Sequence, residues 1–140
     1  MGKSAYIKFV EGSAVQQVTL NEVKEMLNQY ITRTKKTADQ LDWSYDEVAF
    51  PYTIHEKPEA QGSWFYLKGT DPKLYQYILI GIDSRAAEDH EEHYIQITLT
   101  DISTSGDKGK ANEFCRYLAN CYKAELTMFN GRKMYFNPRK

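Results

Sequence analysis

The chain is short of almost everything that marks a chemical specialist. Its two cysteines, Cys115 and Cys121, are too few for the disulfide framework of a small secreted scaffold. They lie six apart in one predicted helix, and six steps of about 100° leave them on different sides of the axis. A bridge between them is therefore geometrically poor, and a redox pair needs tighter spacing. Packing as small hydrophobes is the simpler role. No apolar run is long enough to cross a bilayer, and the opening MGKSAYIKFVEGS lacks the hydrophobic stretch of a secretory signal. Tyr6 stands where a myristoylation pattern beginning at Gly2 has Ser or Thr. A soluble protein that stays in the cytosol is expected. Charge of one sign is missing too: 18 Lys and Arg face 19 Asp and Glu, so the basic excess of a duplex nucleic-acid binder is absent.

What the chain does have is aromatic residues, with 11 Tyr, 6 Phe and 2 Trp in 140 residues. Tyrosine joins a rigid apolar body to a polar tip, so it suits a core edge, a sheet surface or a binding face. Hydrophobics at 41% and charged residues at 26% are ordinary globular usage. Without repeats or linkers, residues 1–140 are read as one domain large enough to bury a core unaided.

Ser4–Val10 reads as a first strand, with a short second one at Val15–Val18. Thr19 and Glu22 form a capping box, and the helix after it carries Leu20, Val23, Leu27, Tyr30 and Ile31 on one stripe. β-Branched residues weaken that helix near Ile31–Thr34. A second box, Thr37–Gln40, indicates a short continuation to about Trp43, or else one bent helix. Val48–Phe50 and Tyr52–Glu56 are extended around Pro51, which confines them to an edge. Strands follow at Ser63–Lys68, Leu74–Asp83 and His93–Ile102, joined by Gly69–Pro72 and Ser84–Glu92. The loop Ser103–Gly109 leads into a helix over Lys110–Lys123 with Ala111, Phe114, Cys115, Leu118 and Tyr122 as its apolar stripe. Asn130-Gly131, between Glu125–Phe129 and Arg132–Phe136, is a strong hairpin signal. The order gives an α+β fold: a mainly antiparallel, twisted sheet with two helices packed on one face.

Alternation sorts the central strands. Phe65, Leu67, Ile78, Ile80, Ile82, Ile95, Ile97 and Leu99 share the core side. Trp64, Tyr66, Lys68, Tyr75, Tyr77, Tyr94, Gln96, Thr98 and Thr100 share the other. Such a side is either the solvated surface common on antiparallel sheets or a binding face, with Trp64, Tyr66, Tyr75, Tyr77, Tyr94 and Gln96 as its candidates. A peptide or protein fits it better than single-stranded nucleic acid, because no Lys/Arg-Gly-aromatic run accompanies the neutral charge. In a two-residue closing loop Phe129 would face Arg132 and Met128 would face Lys133, leaving both sides mixed. With Arg139 and Lys140 the hairpin makes a small basic end, read as solvated.

Asp83, His90 and His93 hold the one cluster able to ligate a transition metal. They lack the helical His-Glu-x-x-His spacing, and solvated acidic loops are common. Gly106, Lys108, Gly109 and Lys110 precede a helix, where amides favour an anion. A phosphate loop would need glycine at Thr104 and a hydroxyl at Ala111, so an ordinary turn capped by Asp107 competes with it. Nucleophilic catalysis has little support: His55 has no Ser or Cys beside it in the chain, Cys115 is on a buried stripe, and Asp83 and Asp101 fall at opposite sheet ends. No cofactor is implied.

The runs Gly62–Gly69, Tyr75–Asp83, His93–Asp101 and Asn112–Leu118 resemble a domain-of-unknown-function family of small proteins from Bacillus-type bacteria. That resemblance implies a cytosolic bacterial α+β domain with no assigned activity and no family site residues. A non-enzymatic interaction module, offering its aromatic face or an edge strand to a peptide, a protein or a second copy of itself, is the leading expectation. A small enzyme or ligand-binding protein using the His90/His93 loop or the Gly106–Lys110 segment is the alternative, and single-stranded nucleic-acid binding a weaker one.

Overall fold

A computed structural model describes residues 3–10, 12–41, 52–56, 63–70, 73–86 and 91–136, with 34–41 described for their backbone alone. The expected strand at Val48–Phe50, the loop from Pro58 to Gly62, the side chains of the Thr37–Gln40 box, and Asp71, Pro72, His90, Arg139 and Lys140 lie outside them. Among the described residues are seven strands and two helices: β1 (Lys3–Lys8), α1 (Leu20–Leu41), β2 (Tyr52–His55), β3 (Trp64–Gly69), β4 (Tyr77–Ala86), β5 (Glu91–Leu99), α2 (Ser105–Tyr122), β6 (Glu125–Thr127) and β7 (Lys133–Tyr135). They make one open sheet in the order β2-β3-β4-β5-β1-β6-β7, antiparallel throughout. The fold is α+β, as the element order implies.

Both helices lie on the aliphatic side. Leu20, Val23 and Leu27 of α1 and Ala111, Phe114, Cys115 and Leu118 of α2 join Ala5, Ile7, Phe65, Leu67, Ile78, Ile80, Ile95, Ile97 and Leu126 in one core. Each such Ile, Leu or Phe side chain contributes roughly 1.5–3 kcal/mol by leaving water. Tyr30 fastens the helices together, its ring edge-on to Phe114 at 5.6 Å and to Tyr117 at 5.2 Å. The Thr19 box forms, with Glu22 N donating to Thr19 Oγ1 and Thr19 N to Glu22 Oε1 at 3.2 and 3.0 Å. Helix α1 then runs unbroken to Leu41, so one helix replaces the interrupted pair.

Several boundaries move for identifiable reasons. Val15–Val18 is not a strand: Ala14 N donates to Tyr122 O at 2.7 Å and Ser13 N to Val10 O at 2.9 Å, tying the segment to the end of α2. Strands β4 and β5 run past the expected Asp83 and His93 limits, because Arg85 Nε meets Glu92 Oε2 across the ladder at 2.9 Å. At the other end β4 starts at Tyr77, not Leu74, and β5 stops at Leu99, not Ile102.

The loop expected at Ser103–Gly109 is largely helix. Thr104 is the true N-cap of α2: its Oγ1 accepts from Asp107 N at 3.1 Å while Asp107 Oδ2 accepts from Thr104 N at 2.9 Å. Asp107 is fully buried and also accepts from Gln76 N, at 2.9 Å on Oδ2, and from the Tyr52 hydroxyl. One carboxylate thus joins α2, the approach to β4 and the edge strand β2. Burial, followed by that carboxylate, pushes the Tyr52 phenol far above its ordinary range. Gly106 lets the helix sit this close, since a Cβ there would fall 2.6 Å from Leu74 O.

The closing hairpin is set one residue off the expected pairing, Leu126 opposite Met134 and Thr127 opposite Lys133. Its loop has three residues, closed by Met128 N donating to Arg132 O at 2.7 Å, with Gly131 at φ 86°. That is a turn followed by a left-handed glycine. The shift resolves the ambiguity of sides: Leu126, Met128 and Met134 turn to the core.

Candidate functional site

The face opposite the helices is built by register. Pairing sets His55 beside Tyr66, Tyr66 beside Leu79, Leu79 beside Thr98 and Thr98 beside Ser4. The next row runs Trp64, Gly81, Gln96, Tyr6 and Thr127. Side chains so aligned are neighbours about 5 Å apart, and here they divide the face in two.

The β2–β4 half is aromatic. His55 stacks on Tyr66 with centroids 5.3 Å apart and planes 19° from parallel, and Tyr66 meets Tyr77 at 5.8 Å. His55 is steadied by Thr53, whose Oγ1 lies 2.6 Å from its Nε2. Trp64, Tyr66, Tyr77 and Leu79 wall a trough of about 560 Å³ closed by Thr100, Asp101 and Ile102. Ile102, 57% exposed, forms its outer lip. A notch of about 290 Å³ lies beyond the Trp64–Leu79 ridge, floored by Gly81 and reaching Asp83 and Gln96. Two depressions divided by a ridge are suited to consecutive apolar groups of one ligand chain.

The β5–β1 half is polar and self-satisfied. Gln96 Nε2 donates to Ser4 Oγ at 3.0 Å, and Ser4 Oγ lies 2.9 Å from Thr98 Oγ1. Tyr94 packs edge-on to Tyr6 at 5.7 Å. Burial first, then the nearby Asp83 carboxylate, raises the Tyr94 phenol above its ordinary range.

Of the six residues expected on this face, Trp64, Tyr66, Tyr77, Tyr94 and Gln96 share it, the first three together in the trough. Tyr75 does not. It precedes β4, packs edge-on to Tyr52 at 5.5 Å and lies against Gly106 on the helix side. Gly69 N donating to Gln76 O at 2.8 Å marks where the alternation ends. His55, Leu79 and Ile102 belong to the site without having been singled out; the β2–β3 register that places His55 depends on contacts that no local pattern reveals.

The other candidates that are described do not gather into a site. Asp83 pairs with Tyr94 on the open face, whereas His93, opposite Ser84, has the parity of the core side. His93 Nε2 lies 3.8 Å from Glu91 Oε2, and no group of three potential metal ligands exists among the described residues. Gly106, Lys108, Gly109 and Lys110 are all inside α2, and the anion at its N-terminus is its own Asp107. Lys110 turns to Glu113 at 3.1 Å, while Lys108 points to the other side. Both cysteines are free. Burial lifts the Cys115 thiol to about 12, away from nucleophilic use. Among the described residues no helix is long and apolar enough to cross a membrane.

An open seven-stranded antiparallel sheet, with helices on one side and an aromatic trough on the other, defines a small α+β protein. The chain belongs to the family described as domain of unknown function DUF1885, whose model matches residues 3–138. It is similar to a protein of unknown function from Bacillus stearothermophilus with a solved crystal structure, at 40% identity over 89% of this chain and 93% of that one, with a TM-score of 0.58. No curated protein matches it.

Proposed function

We propose that the protein is a non-enzymatic, cytosolic interaction module that holds a peptide segment of a protein partner against its open aromatic face. The observation that carries this reading is the trough itself: Trp64, Tyr66, Tyr77 and Leu79 line one concavity on the side of the sheet away from both helices. Aromatic rings supply large contact area with little side-chain freedom to lose, which is why they dominate binding hot spots. The sheet edges are less suited to take the partner, since β2 has four residues and β7 three, offering few free main-chain groups for strand addition.

The test is selection of binders from a random peptide library, followed by titration against wild type and a Tyr66→Ser/Tyr77→Ser variant. Selected peptides should carry apolar residues two apart and lose at least tenfold in affinity on the variant. Peptides that bind both proteins equally would place the partner site elsewhere. Light scattering over a concentration series asks whether a second copy is the partner: dimerisation abolished by the same variant would identify the face as a self-association surface.

A further inference from the structure

The sheet's other side carries a second concavity, unrelated to the aromatic face. Lys108, Asn112 and Arg116 recur every four residues along α2 and so form one stripe. That stripe faces the β6–β7 hairpin across a cleft of about 410 Å³. Lys3, at the start of the central strand β1, and Arg132, just after the hairpin loop, complete its rim. Met128, Phe129 and Met134 supply its apolar lining.

Clustering of charge sets this cleft apart. Several cations on other parts of the surface are paired, Arg85 with Glu92, Lys110 with Glu113, Lys133 with Glu125 and Lys24 with Glu56. Lys3, Lys108, Arg116 and Arg132 have no carboxylate partner among the described residues, and no Asp or Glu lines the cleft. Four uncompensated cations around one concavity repel one another and focus a positive field into it. Two of them are guanidinium forks, whose planar donors match a phosphate bidentately. The Phe129 ring and two pliable thioethers suit a flat apolar group, and the volume falls in the usual range for small-ligand pockets.

We infer that the cleft between α2 and the β6–β7 hairpin binds a small organic phosphate with a flat apolar body, the phosphate held by Arg116 and Arg132 and the body laid against Phe129. The site makes no use of the trough and stands or falls independently of the proposed partner binding.

The experiment is a calorimetric titration of the full chain with AMP and phenyl phosphate, alongside inorganic phosphate, adenosine and a hexaglutamate peptide. Either organic phosphate should bind below 1 mM, at least tenfold tighter than inorganic phosphate or adenosine. Affinity should fall at least tenfold in Arg116→Gln/Arg132→Gln and should be unchanged in Lys8→Gln, on the opposite face. Because the arginines repel one another, the double variant should melt at or above the wild-type temperature. Amide shifts on the wild type should map binding to residues 108–116 and 128–134, which keeps the test independent of any variant's folding. Silence for both organic phosphates at 1 mM, equal binding to the double variant, or hexaglutamate binding as tightly as AMP would each overturn the assignment.

Discussion

Ile80 and Leu79 are neighbours on β4, yet they live in different environments. Ile80 is wholly buried among Phe65, Ile97 and the helices, whereas Leu79 is half-buried on the ridge between trough and notch. The same contrast holds across the sheet. On the helix side the strands present Ile, Leu and Phe, and the fully buried Asp107 has its oxygens engaged. On the open side most residues are aromatic or polar, with Leu79 among them, and Gln96, Ser4 and Thr98 satisfy one another laterally. The helix side therefore carries stability. The open side is free of that duty, so its residues can be changed for binding at little cost to the fold.

The sharpest way to break the helix side is at Asp107, the one buried carboxylate among the described residues. Asp107→Ala removes the carboxylate that accepts from the Tyr52 hydroxyl and from the Gln76 and Thr104 amides, and each lost hydrogen bond to a buried charged group costs roughly 1.5–3 kcal/mol. A loss of about 4 kcal/mol is expected in urea unfolding, with Asp107→Asn losing about half because it keeps one acceptor geometry. A loss below about 1 kcal/mol for the alanine variant would mean that β2 and the start of α2 are held by packing alone.

The neighbouring pair on β4 sharpens the contrast directly. Ile80→Ala should cost about 3–4 kcal/mol, transfer and cavity terms together, while Leu79→Ala should cost about 1 kcal/mol. Equal losses would mean that the open face is covered and is not a binding surface.

Alkali separates the faces by a different route. Burial raises Cys115 and Tyr122, both on the helix side, to about 12. Each folded value lies above the ordinary one of 9.0 or 10.0, so the folded protein holds its protons more tightly than the unfolded chain does. Their stabilising contribution is complete below pH 9 and is lost as pH rises from about 9 towards 12. About 1–2 kcal/mol should disappear between pH 8 and 10.5, and Cys115→Ala should flatten that slope. An unchanged slope in the variant would show that the thiol reaches solvent.

Much of this division was legible in the chain. The 3.6-residue stripes of both helices and the two-residue alternation of β3, β4 and β5 assign the core face residue by residue, because those patterns are local. What escaped is what local pattern cannot encode. Gly106 and Gly109 look like loop residues, but Thr104 and Asp107 are three apart and close a capping box that starts the helix ahead of both. Tyr75 follows the alternation on paper and leaves it at the Gly69–Gln76 crossing. The central place of β1, between β5 and β6, rests on contacts some ninety to a hundred and twenty residues apart. That placement brings Lys3 to the cleft with Lys108 and Arg132, residues that read separately as a solvated end and a failed phosphate loop.

The hairpin shows how small a local feature holds the faces apart. Leu126 is held to the core side by its pairing with Ile7, and the three-residue loop brings Met134 opposite it; a slip of β7 by one residue would turn Met134 to the open side. Gly131, at φ 86°, makes the three-residue loop possible, and an added Cβ there would meet nothing within 4 Å. The cost of Gly131→Ala is therefore conformational, without steric clash, and should be about 1 kcal/mol, or roughly 3–4 °C in melting temperature. Amide shifts in the variant should stay confined to residues 128–133. Shifts extending through β6 into β1 would mean that the turn alone sets the register. Confinement would show that the buried Leu126 and Met128 hold it even when the turn is strained, which makes the core, and not the loop, the arbiter of which residues face the helices.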